Sequence, residues 1–147
     1  LLPSTECKPI TAYGFAKYTL YQKLKYLQMD LNFKLQWGRL FYMYGEGQSQ
    51  HSILSQLDQA IDSDFRFFNM SFGEQIRDYL HVSNVIEQIV STYENETNNV
   101  INICSGKPIS IRTLVERRIA ERKSNIKINL GYYGYNEYEP LAFWGLN

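Results

Sequence analysis

Cysteine is scarce. Cys7 and Cys104 are the only two, too few for a disulfide framework and in keeping with a reducing cytosol. Neither charge sign is in excess: Lys plus Arg and Asp plus Glu each number 15, so no net basic field exists for nucleic acid or anionic lipid. No apolar run approaches the roughly 20 residues that span a bilayer. Leu1-Leu2-Pro3 has neither the basic start nor the long apolar core of a signal peptide. These absences predict a cytoplasmic protein with no nucleic-acid partner and no membrane insertion. His51 and His81 lie far apart and have no metal-ligand spacing with the cysteines, so no metal site is expected. The glycines are scattered. None follows an apolar strand in the pattern that brings backbone N–H groups to a pyrophosphate.

What is present is a chain of 147 residues, 44% hydrophobic and 20% charged, long enough for one domain with a real core. Thr11 is placed to cap a helix from about Tyr13 to Met29, with Leu20, Leu24, Leu27 and Leu31 at helical spacing. Phe33 to Tyr42 reads as a buried strand, and Tyr44 to Gln48 as a turn. His51 to Ile61 reads as a second helix and Phe65 to Phe68 as a short strand. Ile76 to Val82 is extended, and Val82 to Tyr93 is helical. Glu94 to Asn99 is a polar loop, and Val100 to Ile103 a short strand. Ser110 caps a helix to about Lys123, and Ile126 to Leu130 is a last strand. Alternating strands and helices predict an α/β architecture with parallel pairing in part of the sheet. Arg112, Arg117, Arg118, Arg122 and Lys123 form a basic helix face, expected to be solvated. Cys104, at a strand end, is expected to be a packed small hydrophobe, and the tail from Gly131 is crowded with aromatics expected mainly to pack.

Tyr13 and Lys17 are the first candidates for chemistry. Four residues apart on a helix, they share a face, and a nearby ammonium favours phenolate over phenol. Taken alone, the same spacing fits an amphipathic helix with one exposed Lys. Further motifs follow in order. With Lys8-Pro9-Ile10-Thr11-Ala12-Tyr13-Gly14-Phe15-Ala16-Lys17 come Arg39-Leu40-Phe41-Tyr42-Met43-Tyr44-Gly45 and Arg77-Asp78-Tyr79-Leu80-His81-Val82. Asn102-Ile103-Cys104-Ser105-Gly106 with Ser110-Ile111 closes the set. This ordered set resembles the extended short-chain dehydrogenase/reductase family, the NAD-dependent epimerase/dehydratase group acting on nucleotide sugars. The ending, Tyr138-Glu139-Pro140-Leu141-Ala142-Phe143-Trp144-Gly145, looks like a subgroup found among deoxysugar-biosynthesis reductases.

The resemblance implies an α/β fold: the C-terminal portion of a Rossmann-type extended short-chain dehydrogenase with its small mixed α/β substrate-binding domain. Residues 1–48 would be the last part of the dinucleotide-binding domain. Residues 49–147 would be mostly substrate domain, with some segments returning to the main sheet. Tyr13 would be the acid/base on the sugar. Lys17 would hold the nicotinamide ribose and favour the phenolate of Tyr13. The cofactor would be NAD or NADP, with its site mostly outside this chain. Arg77 would bind the diphosphate of a nucleotide-diphosphate sugar, where a planar guanidinium offers two parallel charged bonds. A structural ion pair with Asp78 or a neighbour is the other reading of Arg77. Tyr42 stands where many relatives have a substrate-touching Asn, and Asn84 where many have Asp.

The family's Gly-rich turn and catalytic Ser or Thr belong upstream of Tyr13, so the chain is expected to be the C-terminal part of a longer enzyme. That parent would act at C4 of the sugar, in deoxysugar or surface-polysaccharide biosynthesis, and pair as a homodimer. The alternative is a non-catalytic nucleotide-sugar-binding or subunit-association module.

Overall fold

The computed structural model describes residues 1–94, 99–135 and 139–146. Its first helix, α1 (Ala12–Asp30), starts where the sequence offers a cap: the Thr11 hydroxyl accepts from the Gly14 N–H. α1 has no buried residue. Its leucines are only half-covered or exposed, and Ile10, Tyr13, Phe15, Tyr26, Met29 and Leu31 face solvent.

The single strand expected over Phe33 to Tyr42 is two short ones, β1 (Trp37–Leu40) and β2 (Tyr42–Tyr44). Nor is it buried: half-covered and exposed side chains alternate along both. The chain changes partner at Phe41. β1 pairs in parallel with β6 (Val100–Ile103), whereas β2 pairs in parallel with β5 (Tyr79–His81), with Tyr42 opposite Tyr79. β3 (Phe67–Asn69) pairs in parallel with β8 (Lys127–Asn129), and β4 (Ile76–Arg77) pairs antiparallel with β7 (Ile109–Ser110). Short parallel pairs joined by helical crossovers are what the alternating pattern leads to.

Two small cores hold these pairs together. α2 (Ile53–Asp62) carries Ile53, Leu57, Ala60 and Ile61 on one stripe, capped by Ser52 at its start. That stripe meets Phe68, Met70, Val115 and Ile126, so α2 and α4 (Ile111–Glu121) sit together against β3 and β8. The second core joins Leu80, Val85 and Ile103, and packs α3 (Val82–Glu94) on β5 and β6. Ser110 caps α4 by accepting from the Thr113 N–H, at the expected residue.

The basic face of α4 is not simply solvated. Arg118 forms two parallel bonds to Asp58 of α2, at 2.9 and 2.8 Å, and a third to Glu121. Arg122 pairs with Asp58 and Asp62. A planar guanidinium matched to a carboxylate fixes two helices side by side, which a flexible ammonium does less well. The solvated-surface expectation is therefore corrected for Arg118 and Arg122, while Arg112, among the described residues, pairs with Glu116 of its own helix.

The tail returns to the body of the protein. Ile76 donates its N–H to Leu141 O, and Phe143 donates to Ile76 O, forming a parallel bridge beside β4. Gly145 then passes so close to β6 that a Cβ there would sit 2.6 Å from Cys104 Sγ. Buried Asn102 donates from Nδ2 to both Leu1 O and Leu146 O, each at 2.8 Å, and so ties the start and end of the chain to β6. Its Oδ1 finds no partner among the described residues. The tail aromatics pack less than expected: Tyr132, Tyr133 and Tyr135 are exposed, and Phe143 and Trp144 are half-covered. Tyr138 and most of the polar loop after Glu94 lie outside the described residues.

Candidate active site

Arg77 and Asp78 are adjacent and both buried, at 2% and 0% exposure, yet they do not pair with each other. Side chains of neighbouring extended residues point to opposite faces, and each finds its own partner. The Asp78 carboxylate accepts from the Ser105 and Gly106 N–H groups, at 2.7 and 2.9 Å, and so fixes the turn after β6. Arg77 turns toward the tail. Its Nη1 donates to Ile76 O at 2.9 Å and to Leu141 O at 3.2 Å, and its Nη2 reaches Glu139 at 3.4 Å. The guanidinium lies 4.8 Å from the Phe143 ring centroid and 5.9 Å from that of Tyr42.

Arg77 and Tyr42 line one cavity of about 440 Å³ with Tyr79, Asn69, Ser71 and Glu139. Tyr42 and Tyr79 face each other across the β2–β5 pair, their rings 5.3 Å apart. A buried cation walled by aromatic rings and short polar side chains suits an anionic ligand with a planar or hydroxylated part. Burial pushes the Tyr79 phenol up to about 12, with the Tyr42 phenol and Glu139 adding to the rise while Arg77 opposes it. A phenol protonated more readily in the folded than in the unfolded state stabilises the fold below its free value of about 10. That stabilisation is lost as pH rises from about 10 to about 12, because the unfolded chain loses its proton first. Expected, therefore, is an alkaline fall of about 2 kcal/mol that Tyr79→Phe removes. Urea melts of the two chains at pH 9 and pH 11.5 measure it.

The Tyr13–Lys17 pair lies elsewhere. Lys17 Nζ sits 5.6 Å from the centroid of the Tyr13 ring, so the two do share a face of α1, and Tyr13 is 74% exposed. Lys17 lines a second cavity, of about 400 Å³, with Tyr18, Trp37, Arg39 and Asn102. Arg39 donates to Thr5 O at 3.0 Å and steadies the segment leading into α1. The structure thus brings together Tyr13 with Lys17, and Tyr42 with Arg77, in two places.

The minor candidates are placed as well. Cys104 is buried, and burial first and then Asp78 push its thiol up, which disfavours the thiolate and suits a packed side chain. His81 is exposed, bonded to Ser83 and edge-on to Tyr44. Among the described residues no group of His, Cys, Asp and Glu could hold a metal ion, and no helix is long and apolar enough to cross a membrane. Glu139 and Phe143 hold Arg77. The sequence reading places both in the ending motif and expects Phe143 to pack, but without periodicity in the tail it gives neither a place beside Arg77.

Residues 2–104 match the model of the NAD dependent epimerase/dehydratase family. The chain belongs to this family. It is 31% identical over 143 residues to a dTDP-6-deoxy-L-talose 4-dehydrogenase (NAD(+)) from Aggregatibacter actinomycetemcomitans, covering 97% of this chain and 53% of that protein. The fold of this family member matches a UDP-N-acetylglucosamine 4-epimerase from Methanobrevibacter ruminantium M1, solved with UDP-N-acetylmuramic acid. The TM-score there is 0.86 at 21% identity, over 97% of this chain and 46% of the other. It also matches RMD from Pseudomonas aeruginosa, solved with NADPH, at a TM-score of 0.85 and 18% identity, over 97% and 49%. The chain therefore spans about half the length of the relatives it matches. Its mixed α/β fold is that of an extended short-chain dehydrogenase's C-terminal half.

Proposed function

We propose that this chain is the C-terminal part of an NAD(P)-dependent oxidoreductase or epimerase acting at C4 of a nucleotide-diphosphate sugar. The observation that carries the reading is Arg77, a nearly unexposed guanidinium between Tyr42 and Phe143 at the edge of a cavity. In support, the curated relative's name specifies a dTDP-sugar, position 4 and NAD(+). Residues 1–48 are assigned to the dinucleotide half and residues 49–147 mostly to the substrate half.

In this reading Arg77 gives the diphosphate charged hydrogen bonds and sets where the sugar lies. Tyr42, with a hydroxyl where relatives have an amide, donates or accepts one bond to the same ligand. Tyr13 passes a proton at its phenolic oxygen to or from the sugar oxygen. Lys17, already over the Tyr13 ring, donates to ribose hydroxyls. The nicotinamide cofactor, when bound, supplies hydride chemistry. The residues present fit only its ribose end. α1 spends the Gly14 N–H on its own Thr11 cap, and no Gly-rich turn in this chain offers a pyrophosphate cradle.

Calorimetry with dTDP- and UDP-sugars, and separately with NAD(H), tests the assignment. Nucleotide sugars are expected to bind and NAD(H) to bind weakly or not at all. Tight NAD(H) binding would contradict the division of the site between two halves, and failure of every nucleotide sugar would overturn the function. The uncovered apolar residues of α1 support an association role beside the catalytic one, as in the expected homodimer.

A further inference from the structure

Arg77 cannot stand without a counter-charge, because an ion this deeply buried is costly unless paired. Asp78, its neighbour, is committed to the turn at Ser105 and Gly106. Among the described residues the carboxylate paired with Arg77 is Glu139. We infer that Glu139 is a resident counter-ion of the Arg77 subsite, and that the diphosphate of a nucleotide ligand binds by displacing it. This rests on reading Arg77 as the diphosphate-binding residue.

Four features of the geometry support an exchange of one anion for another. Both hydrogens of Nη1 have acceptors, the carbonyls of Ile76 and Leu141, which leaves the Nη2 edge where Glu139 sits for a ligand. Glu139 and Arg77 line the same cavity, so the carboxylate and a ligand phosphate compete for one position. The two partners differ in freedom: Arg77 is 2% exposed and Glu139 is 49% exposed, so Glu139 can turn into water while Arg77 stays. The bond itself is a single contact at 3.4 Å, long for a charged hydrogen bond and weaker than the two parallel bonds a phosphate offers. The swing needs no release of the tail, because Leu141 and Phe143 remain bonded to Ile76 through their backbones.

Glu139 thus lowers the affinity of the site for every anion by the same factor and keeps Arg77 satisfied between ligands. Replacing it by Gln keeps the shape and removes the competing charge. Calorimetric titration of the chain with dTDP and with UDP is the test, on the wild type, Glu139→Gln and Arg77→Lys, with folding of each checked by circular dichroism. Glu139→Gln is expected to bind both diphosphates about fivefold more tightly, the scale of one partly exposed ion pair, and Arg77→Lys more weakly. Equal or weaker binding by Glu139→Gln, with Arg77→Lys still impaired, would overturn the counter-ion and leave the functional reading intact. Absence of nucleoside-diphosphate binding to all three chains would overturn the functional reading, and the counter-ion with it.

Discussion

Asp78→Ala is expected to destabilise the chain by about 2–4 kcal/mol, because two hydrogen bonds to a charged acceptor are lost at once. The carboxylate has no exposed surface and accepts from two successive N–H groups, Ser105 and Gly106. It therefore links the β4–β5 segment to the turn between β6 and β7. The net loss is smaller than two full charged bonds, since removing the carboxylate also removes the cost of burying it. Ala additionally leaves a void beside Cys104, whose thiol already feels the Asp78 charge. Asp78→Asn separates the contributions: one amide oxygen replaces two charged acceptors, and the amide's own N–H faces the Gly106 N–H. About half the loss is expected for Asn. Urea midpoints give the stabilities, and hydrogen exchange at Ser105 and Gly106 locates the effect. A loss under about 1 kcal/mol for Ala would mean that the turn is held by its backbone alone.

The same residue illustrates what was legible in the sequence. Arg77 and Asp78 stand out as a motif that implies a diphosphate-binding Arg77, with an ion pair to Asp78 or a neighbour as the other reading. Their partners, Glu139 and the 105–106 turn, are 62 and 27–28 residues away, and no local pattern announces such distances. Helix starts are legible where a cap marks them, as at Thr11 and Ser110, since a cap acts within a few residues. The β1–β2 break was missed because alternation describes a face, and the change of partner at Phe41 is decided by β5 and β6. β7, two residues long, has too little sequence to carry a period. The basic helix face was seen, but Asp58 and Asp62 that neutralise part of it come from α2. Family membership was legible for a different reason. Four motifs in order constrain chemistry more tightly than any one constrains shape, and the match over residues 2–104 spans three of them whole and the start of the fourth.

In a protein that joins this chain to a dinucleotide-binding half, Tyr13→Phe is expected to lower kcat about a thousandfold with KM little changed, the range for loss of a positioned general acid or base. The substitution removes one hydroxyl from a side chain that is 74% exposed, so folding is not at stake. A structural role for Tyr13 as one aromatic on an amphipathic helix predicts no such loss, because Phe keeps the ring and its place against Lys17. Lys17→Met provides the second axis. It removes the ammonium that lies over the Tyr13 ring and that the proposed function assigns to the ribose, so kcat is expected to fall and the KM for the cofactor to rise together. Arg77→Lys acts on the other cavity and raises the KM for the nucleotide sugar first. The three variants thus separate proton transfer, cofactor binding and substrate binding by which constant moves. Unchanged turnover in Tyr13→Phe would remove the pair on α1 from the chemistry and leave only Arg77 and its cavity, the signature of a binding module.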